Sequence, residues 1–122
     1  MKIREMAYDF SVCKVEGYSL VDLNAEYCFI GKTREENSLV CVTGNVPANA
    51  VQTEDGWKAF RVDGVLDFSL IGILSRICGI LAEHEISVFV VSTFDTDYVL
   101  IKRENFKRAL DILENAGYEI VG

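Results

Sequence analysis

Basic charge is scarce in this chain. Twelve Lys and Arg face nineteen Asp and Glu, for a formal net charge of −7, and no Lys/Arg cluster with interleaved aromatics offsets the excess. An extended phosphate backbone is therefore repelled, which argues against nucleic acid as a partner. The first ten residues, MKIREMAYDF, lack the continuous apolar core of a secretory signal. The most apolar stretch is broken by Arg76 and followed by Glu83, His84 and Glu85, too short and too charged to span a bilayer. There is no C-x-x-C pair. Cys13, Cys28, Cys41 and Cys78 sit singly in apolar runs, which predicts reduced core residues, no metal site and a cytoplasmic protein, although Cys28 and Cys41 could face each other across a hairpin. The only histidine, His84, lies between two glutamates near a predicted helix C-terminus, where a solvated imidazole is favoured. No Ser, Cys or Lys stands in a nucleophile motif and no glycine loop fits a phosphate, so an enzyme is not expected.

Half of the residues are apolar and a quarter charged, the balance of a globular domain or of two very small ones sharing a core. Alternation predicts a strand over Tyr8–Val15. Tyr18–Ala25 has room for only one or two helical turns. Tyr27–Lys32 and Ser38–Thr43 read as strands joined by the polar turn Thr33–Asn37. Pro47 points to a short helix starting near Asn45, Thr53–Gly56 to a turn, and Trp57–Val62 to another strand. A helix with apolar residues on more than one stripe follows, Ser69–Ala82, with Asp67 or Ser69 able to cap it. Gly72, Ser75 and Gly79 form a small-residue edge on it, which predicts a homodimer through that helix or through strand edges. Strands Ser87–Ser92 and Tyr98–Lys102, an amphipathic helix Glu104–Ala116 stopped by Gly117, and a closing strand Tyr118–Val121 complete the chain.

The two halves are related. Phe29–Val42 aligns without a gap on Phe89–Lys102, with Thr33 on Thr93 and Glu35 on Asp95, and Lys14–Gly17 matches Arg61–Gly64. The second half reads βαββαβ, and the first is a degenerate copy with a stub in place of the first helix. This predicts residues 1–56 as a degenerate half and 57–122 as a complete domain, intertwined as one unit.

FRVDG, LDFSLIGIL and STFDTDYVL, within Gly56–Leu110, closely resemble the small bacterial tandem ACT-domain proteins. These are related to the regulatory ACT domains of aspartate kinase and to the cellular arginine sensor of animals. YCFIGKTREENSLVC over Tyr27–Val46 resembles the first half of the family more loosely. The resemblance implies an α/β sandwich of ferredoxin-like βαββαβ type, no catalysis, no cofactor, a small-molecule effector such as a free amino acid, and dimerisation.

Two segments carry the candidate site. Gly64, Val65, Leu66, Asp67 and Phe68 run from a strand end into a helix start. Free N–H groups there can hold a carboxylate, while Asp67 can hold an ammonium or simply cap the helix. The resemblance favours the ligand role, because ACT ligands lie at the first strand–helix loop beside a neighbouring half. The second segment is Thr93, Phe94, Asp95, Thr96 and Asp97, ordinary turn chemistry except for a large apolar Phe94. Asp97 matches the arginine-sensor branch and would face a basic or polar ligand side chain. In a βαββαβ sandwich this turn is expected away from its own helix start, so a neighbouring half or subunit would have to bring the two together. Gly31-Lys32-Thr33 is the corresponding segment of the first half. The rival readings are a structural oligomerisation module without a ligand, and an enzyme using Asp67 and Asp95.

Overall fold

The computed structural model describes residues 1–63 and 72–122. They divide into two compact units, one of Met1–Ala7 with Lys58–Gly122, the other Tyr8–Trp57. Two long strands contribute to both: β1 (Lys2–Val15) and β4 (Ala50–Val62).

The first unit is a mixed α/β layer structure of ferredoxin-like type. Its remaining elements are α1 (Ile73–Glu83), β5 (Phe89–Ser92), β6 (Asp97–Lys102), α2 (Arg103–Asn115) and β7 (Glu119–Val121). The strands run in the order β7-β1-β4-β6-β5. β5 and β6 form an antiparallel hairpin with Ser92 opposite Asp97, while β7 lies parallel to the start of β1, with Ile120 beside Ile3. The core gathers Ile3, Phe60, Val62, Val99 and Ile101 from the sheet and Ile77, Leu81, Phe106, Ala109 and Leu113 from the helices. In α2 the buried residues Phe106, Ala109, Leu110 and Leu113 recur at helical spacing, so one stripe meets the sheet and the rest is wet. In α1 only Ile77 and Leu81 are fully buried; Gly72, Ser75, Arg76 and Gly79 are exposed. The described part of this helix thus has one buried stripe on its own sheet beside an exposed small-residue edge.

Both helices end in the same way. In α2 the N–H of Tyr118 reaches the Leu113 carbonyl at 3.1 Å and that of Gly117 reaches Glu114 at 3.0 Å. In α1 Ile86 and Glu85 make the corresponding bonds to Leu81 and Ala82, both 3.0 Å. This closure requires a left-handed residue, supplied by Gly117 at φ 107° and, less comfortably, by Glu85 at φ 59°.

The second unit holds β2 (Cys28–Lys32) and β3 (Asn37–Val42) as an antiparallel hairpin, with β3 also pairing β1. Tyr18–Ala25 forms turns and no helix. Val21 N–H reaches the Tyr18 carbonyl at 3.2 Å, and the Asp22 side chain accepts from Asn24 N–H at 3.0 Å. Tyr18 and Val21 pack from this segment on Cys13, Val15, Leu39 and Cys41, so the stub covers the sheet without being helical.

Three expectations are corrected. The helix expected from Asn45 is a 3-10 turn over Thr43–Asn45, ahead of Pro47. Proline disfavours the helical region for its predecessor, and Val46 is extended at φ −61° and ψ 122°. Thr53–Gly56, expected as a turn, lies inside β4. Gly56 adopts φ 85°, which a strand absorbs as a local kink rather than a chain reversal. β1 begins at Lys2 instead of Tyr8, because its first residues pair with β7 at the far end of the chain.

Candidate functional site

The sheet end where β4 finishes brings together the described part of the site. At the tip of the β5–β6 hairpin, Thr93 N–H donates to the Thr96 carbonyl at 2.9 Å and Thr93 Oγ1 donates to the same oxygen at 3.1 Å. Ser92 Oγ donates to Asp97 Oδ1 at 2.6 Å. Thr96, 5% exposed, turns its hydroxyl inward and donates at 2.8 Å to the carbonyl of Val62, one residue before the last described residue of that strand end, Asp63. The turn therefore sits against the end of β4 in its own unit. The helix start that the sequence reading set apart from this turn lies outside the described residues. β6 neighbours β4 in the sheet, and the Thr96–Val62 bond puts the start of β6 at the finish of β4.

Asp97 is half-buried and shares its sheet face with Val99 and Ile101, the side covered by the helices. It faces Cys78 of α1, whose thiol is pushed up first by burial and then by the Asp97 charge. Phe94 is 79% exposed at the tip, and Asp95 and Thr93 are exposed beside it. The turn thus offers one inward carboxylate and one outward aromatic surface. Gly64, Val65, Leu66, Asp67 and Phe68 lie outside the described residues, as does the expected helix start at Asp67 or Ser69. The described helix begins after Gly72, which stands at its N-cap with φ 82°.

The sequence reading missed three charged groups at the same strand end. Arg4 donates from Nε and one Nη to the two carboxylate oxygens of Asp63, at 3.1 and 3.2 Å, a bidentate pair. Arg61 Nη2 lies 3.8 Å from the same carboxylate, too far for a hydrogen bond. Two guanidinium groups thus approach one carboxylate. Arg4 gave no signal, being 59 residues from its partner.

The second unit repeats this closure with different side chains. Thr33 N–H donates to the Glu36 carbonyl at 3.0 Å, as Thr93 does to Thr96, and Asn37 Nδ2 donates at 3.0 Å to the Glu16 carbonyl at the finish of β1. Lys32 at this turn is exposed. His84 is exposed, with Nδ1 2.9 Å from the Ile80 carbonyl, as its flanking charges led us to expect. Among the described residues no group of three or more His, Cys, Asp or Glu side chains could hold a metal ion, and no helix is long and apolar enough to cross a membrane.

A family model for the ACT domain matches residues 52–115. The mouse (Mus musculus) cytosolic arginine sensor for mTORC1 subunit 1 is 27% identical over 109 residues, covering 86% of this chain and 28% of that protein. Its human (Homo sapiens) counterpart is 32% identical over 59 residues, covering 48% of this chain and 18% of that protein. The chain spans less than a third of the length of these curated relatives. Among solved structures, a protein from Agrobacterium tumefaciens superposes with a TM-score of 0.86 at 26% identity, covering 98% of this chain and 91% of that one. The aspartokinase alpha and beta subunits give 0.64 at 15% identity over 95% of this chain and 97% of that one, a likeness of fold.

Proposed function

The chain belongs to the ACT-domain family, and from that premise we propose that it is a non-catalytic regulatory protein that binds a free amino acid at the end of β4. At family level the ACT domain is a regulatory, amino-acid-binding module. The observation that carries the reading is the Thr96–Val62 hydrogen bond, which holds Asp97 and Phe94 beside the strand end from which residues 64–68 follow. In this reading Asp67 receives the ligand ammonium, Phe94 and Thr93 wall its side chain, and Asp97 and Asp95 supply negative charge. A half-buried carboxylate, together with relatives named as arginine sensors, favours a ligand with a cationic side chain. We read residues 1–56 as a degenerate ACT-like half, the protein as a cytoplasmic homodimer, and its output as control of a partner protein.

Thermal shift and calorimetry with arginine, lysine and neutral amino acids test the reading. Ligand at a hundredfold excess over its dissociation constant stabilises the fold by about 2.7 kcal/mol. A lost charged hydrogen bond costs about 1.5–3 kcal/mol, so Asp97→Asn and Asp67→Asn should each weaken binding roughly 10- to 100-fold. Unchanged binding in both variants would place the site elsewhere. No binding of any amino acid at millimolar concentration would leave a structural oligomerisation module as the better reading.

A further inference from the structure

We propose that Cys28 and Cys41 form a site of reversible thiol oxidation, closing a disulfide across the β2–β3 hairpin when the chain meets a low-molecular-weight disulfide such as oxidised glutathione. The argument starts from register. Cys28 and Cys41 are direct partners in the antiparallel ladder, so their side chains share one face of the sheet. Thr33 N–H donates to the Glu36 carbonyl, which makes those two residues a hydrogen-bonded pair. Pair types alternate along an antiparallel ladder. Counting back through 32:37, 31:38, 30:39 and 29:40 makes 28:41 a non-hydrogen-bonded pair. Such pairs have Cα atoms about 4.5 Å apart, inside the roughly 4.4–6.8 Å that a disulfide spans.

A third thiol competes. Cys13 faces the same cluster and its thiol is in hydrogen-bond contact with that of Cys41, but along the ladder it pairs with Leu39 while Cys41 pairs with Ser11. It is thus a diagonal neighbour of Cys41. Diagonal Cα separations of about 7–8 Å exceed what a disulfide bridges without moving the backbone. Cys78 lies in the other unit, on α1.

The exchange balances with the oxidant named. Cys28, the half-buried member, loses its thiol proton to solvent, and its thiolate attacks one sulfur of the oxidised glutathione. A mixed disulfide forms and one glutathione thiolate leaves. Cys41, buried, then gives up its proton and attacks Sγ of Cys28, forming the protein disulfide and expelling the second glutathione. Two electrons pass from the two cysteine sulfurs to the glutathione disulfide, and the two departing thiolates take up the two protons. Burial, followed by the neighbouring Cys13 thiol, pushes Cys41 up to about 12, so ring closure quickens as pH rises.

The four cysteines fall in four different tryptic peptides, which makes the test direct. Folded full-length chain is incubated with millimolar oxidised glutathione, acid-quenched, alkylated in denaturant and mapped by mass spectrometry. The expected product is a linked Cys28–Cys41 peptide pair lighter by two hydrogens, with Cys13 and Cys78 alkylated. Cys41→Ser should retain glutathione on Cys28, and Cys28→Ser should give no link. A link involving Cys13 in either the parent or the Cys28→Ser chain would overturn the register argument. So would glutathione persisting on Cys28 of the parent chain, or a folded chain that stays unmodified while its urea-unfolded form is oxidised.

Discussion

The hydroxyl of Thr96 donates a 2.8 Å hydrogen bond to the carbonyl oxygen of Val62, tying the β5–β6 turn to the end of β4 across 34 positions of sequence. Both groups are buried, so neither has water as an alternative partner. Thr96→Val keeps the shape and removes the donor, leaving the carbonyl unpaired. The expected cost is about 1–3 kcal/mol in urea unfolding. Thr96→Ser should recover most of it, and equal losses in the two variants would refute the hydrogen bond as the cause.

Glu85 closes α1 in the left-handed region at φ 59°, where a side chain is strained and glycine is not. Glu85→Gly should stabilise the protein by about 1 kcal/mol, read as a higher melting temperature. Glu85→Val should lower it, since a β-branched residue suits that conformation worse.

The small-residue edge of α1 gives a clean probe of the proposed homodimer. A Cβ placed on Gly79 meets nothing within 4 Å, and leucine is the better helix former, so Gly79→Leu should leave the fold intact. If that edge is the dimer contact, sedimentation should show the variant dissociating at concentrations where the parent is dimeric. Gly72→Leu is the wrong probe, because φ 82° at that N-cap strains any side chain.

Burial raises the Cys13, Cys28, Cys41 and Cys78 thiols, and Cys41 reaches about 12. The unfolded chain ionises Cys41 near the ordinary thiol value of 9.0, while the folded chain keeps the proton. Between those values the folded state binds more protons, so stability is full below about pH 9 and falls as pH rises toward 12. Thermal unfolding from pH 8 to 11 should show Cys41→Ala losing less stability with pH than the parent chain. Without added oxidant, alkylation under denaturing conditions should modify all four cysteines.

What the sequence by itself determined was local or periodic. The stripe Phe106, Leu110, Leu113, the stop at Gly117, the β5–β6 hairpin and the repeat of Thr33 on Thr93 are all patterns that neighbouring residues impose on one another. The motifs FRVDG and STFDTDYVL were enough to reach the family. Only the tertiary structure decided what depends on residues far apart meeting. The pairing of β1 with β7 extended the first strand to Lys2, and Thr53–Gly56 stayed extended inside β4 despite its turn-like composition. The same holds at the site. Thr96 looks like any turn threonine until Val62 is beside it, and the pairing of Arg4 with Asp63 carries no periodicity to read. Side-chain spacing along a chain encodes which face a residue occupies, whereas the partner across the sheet is set by strand order, which spacing does not contain.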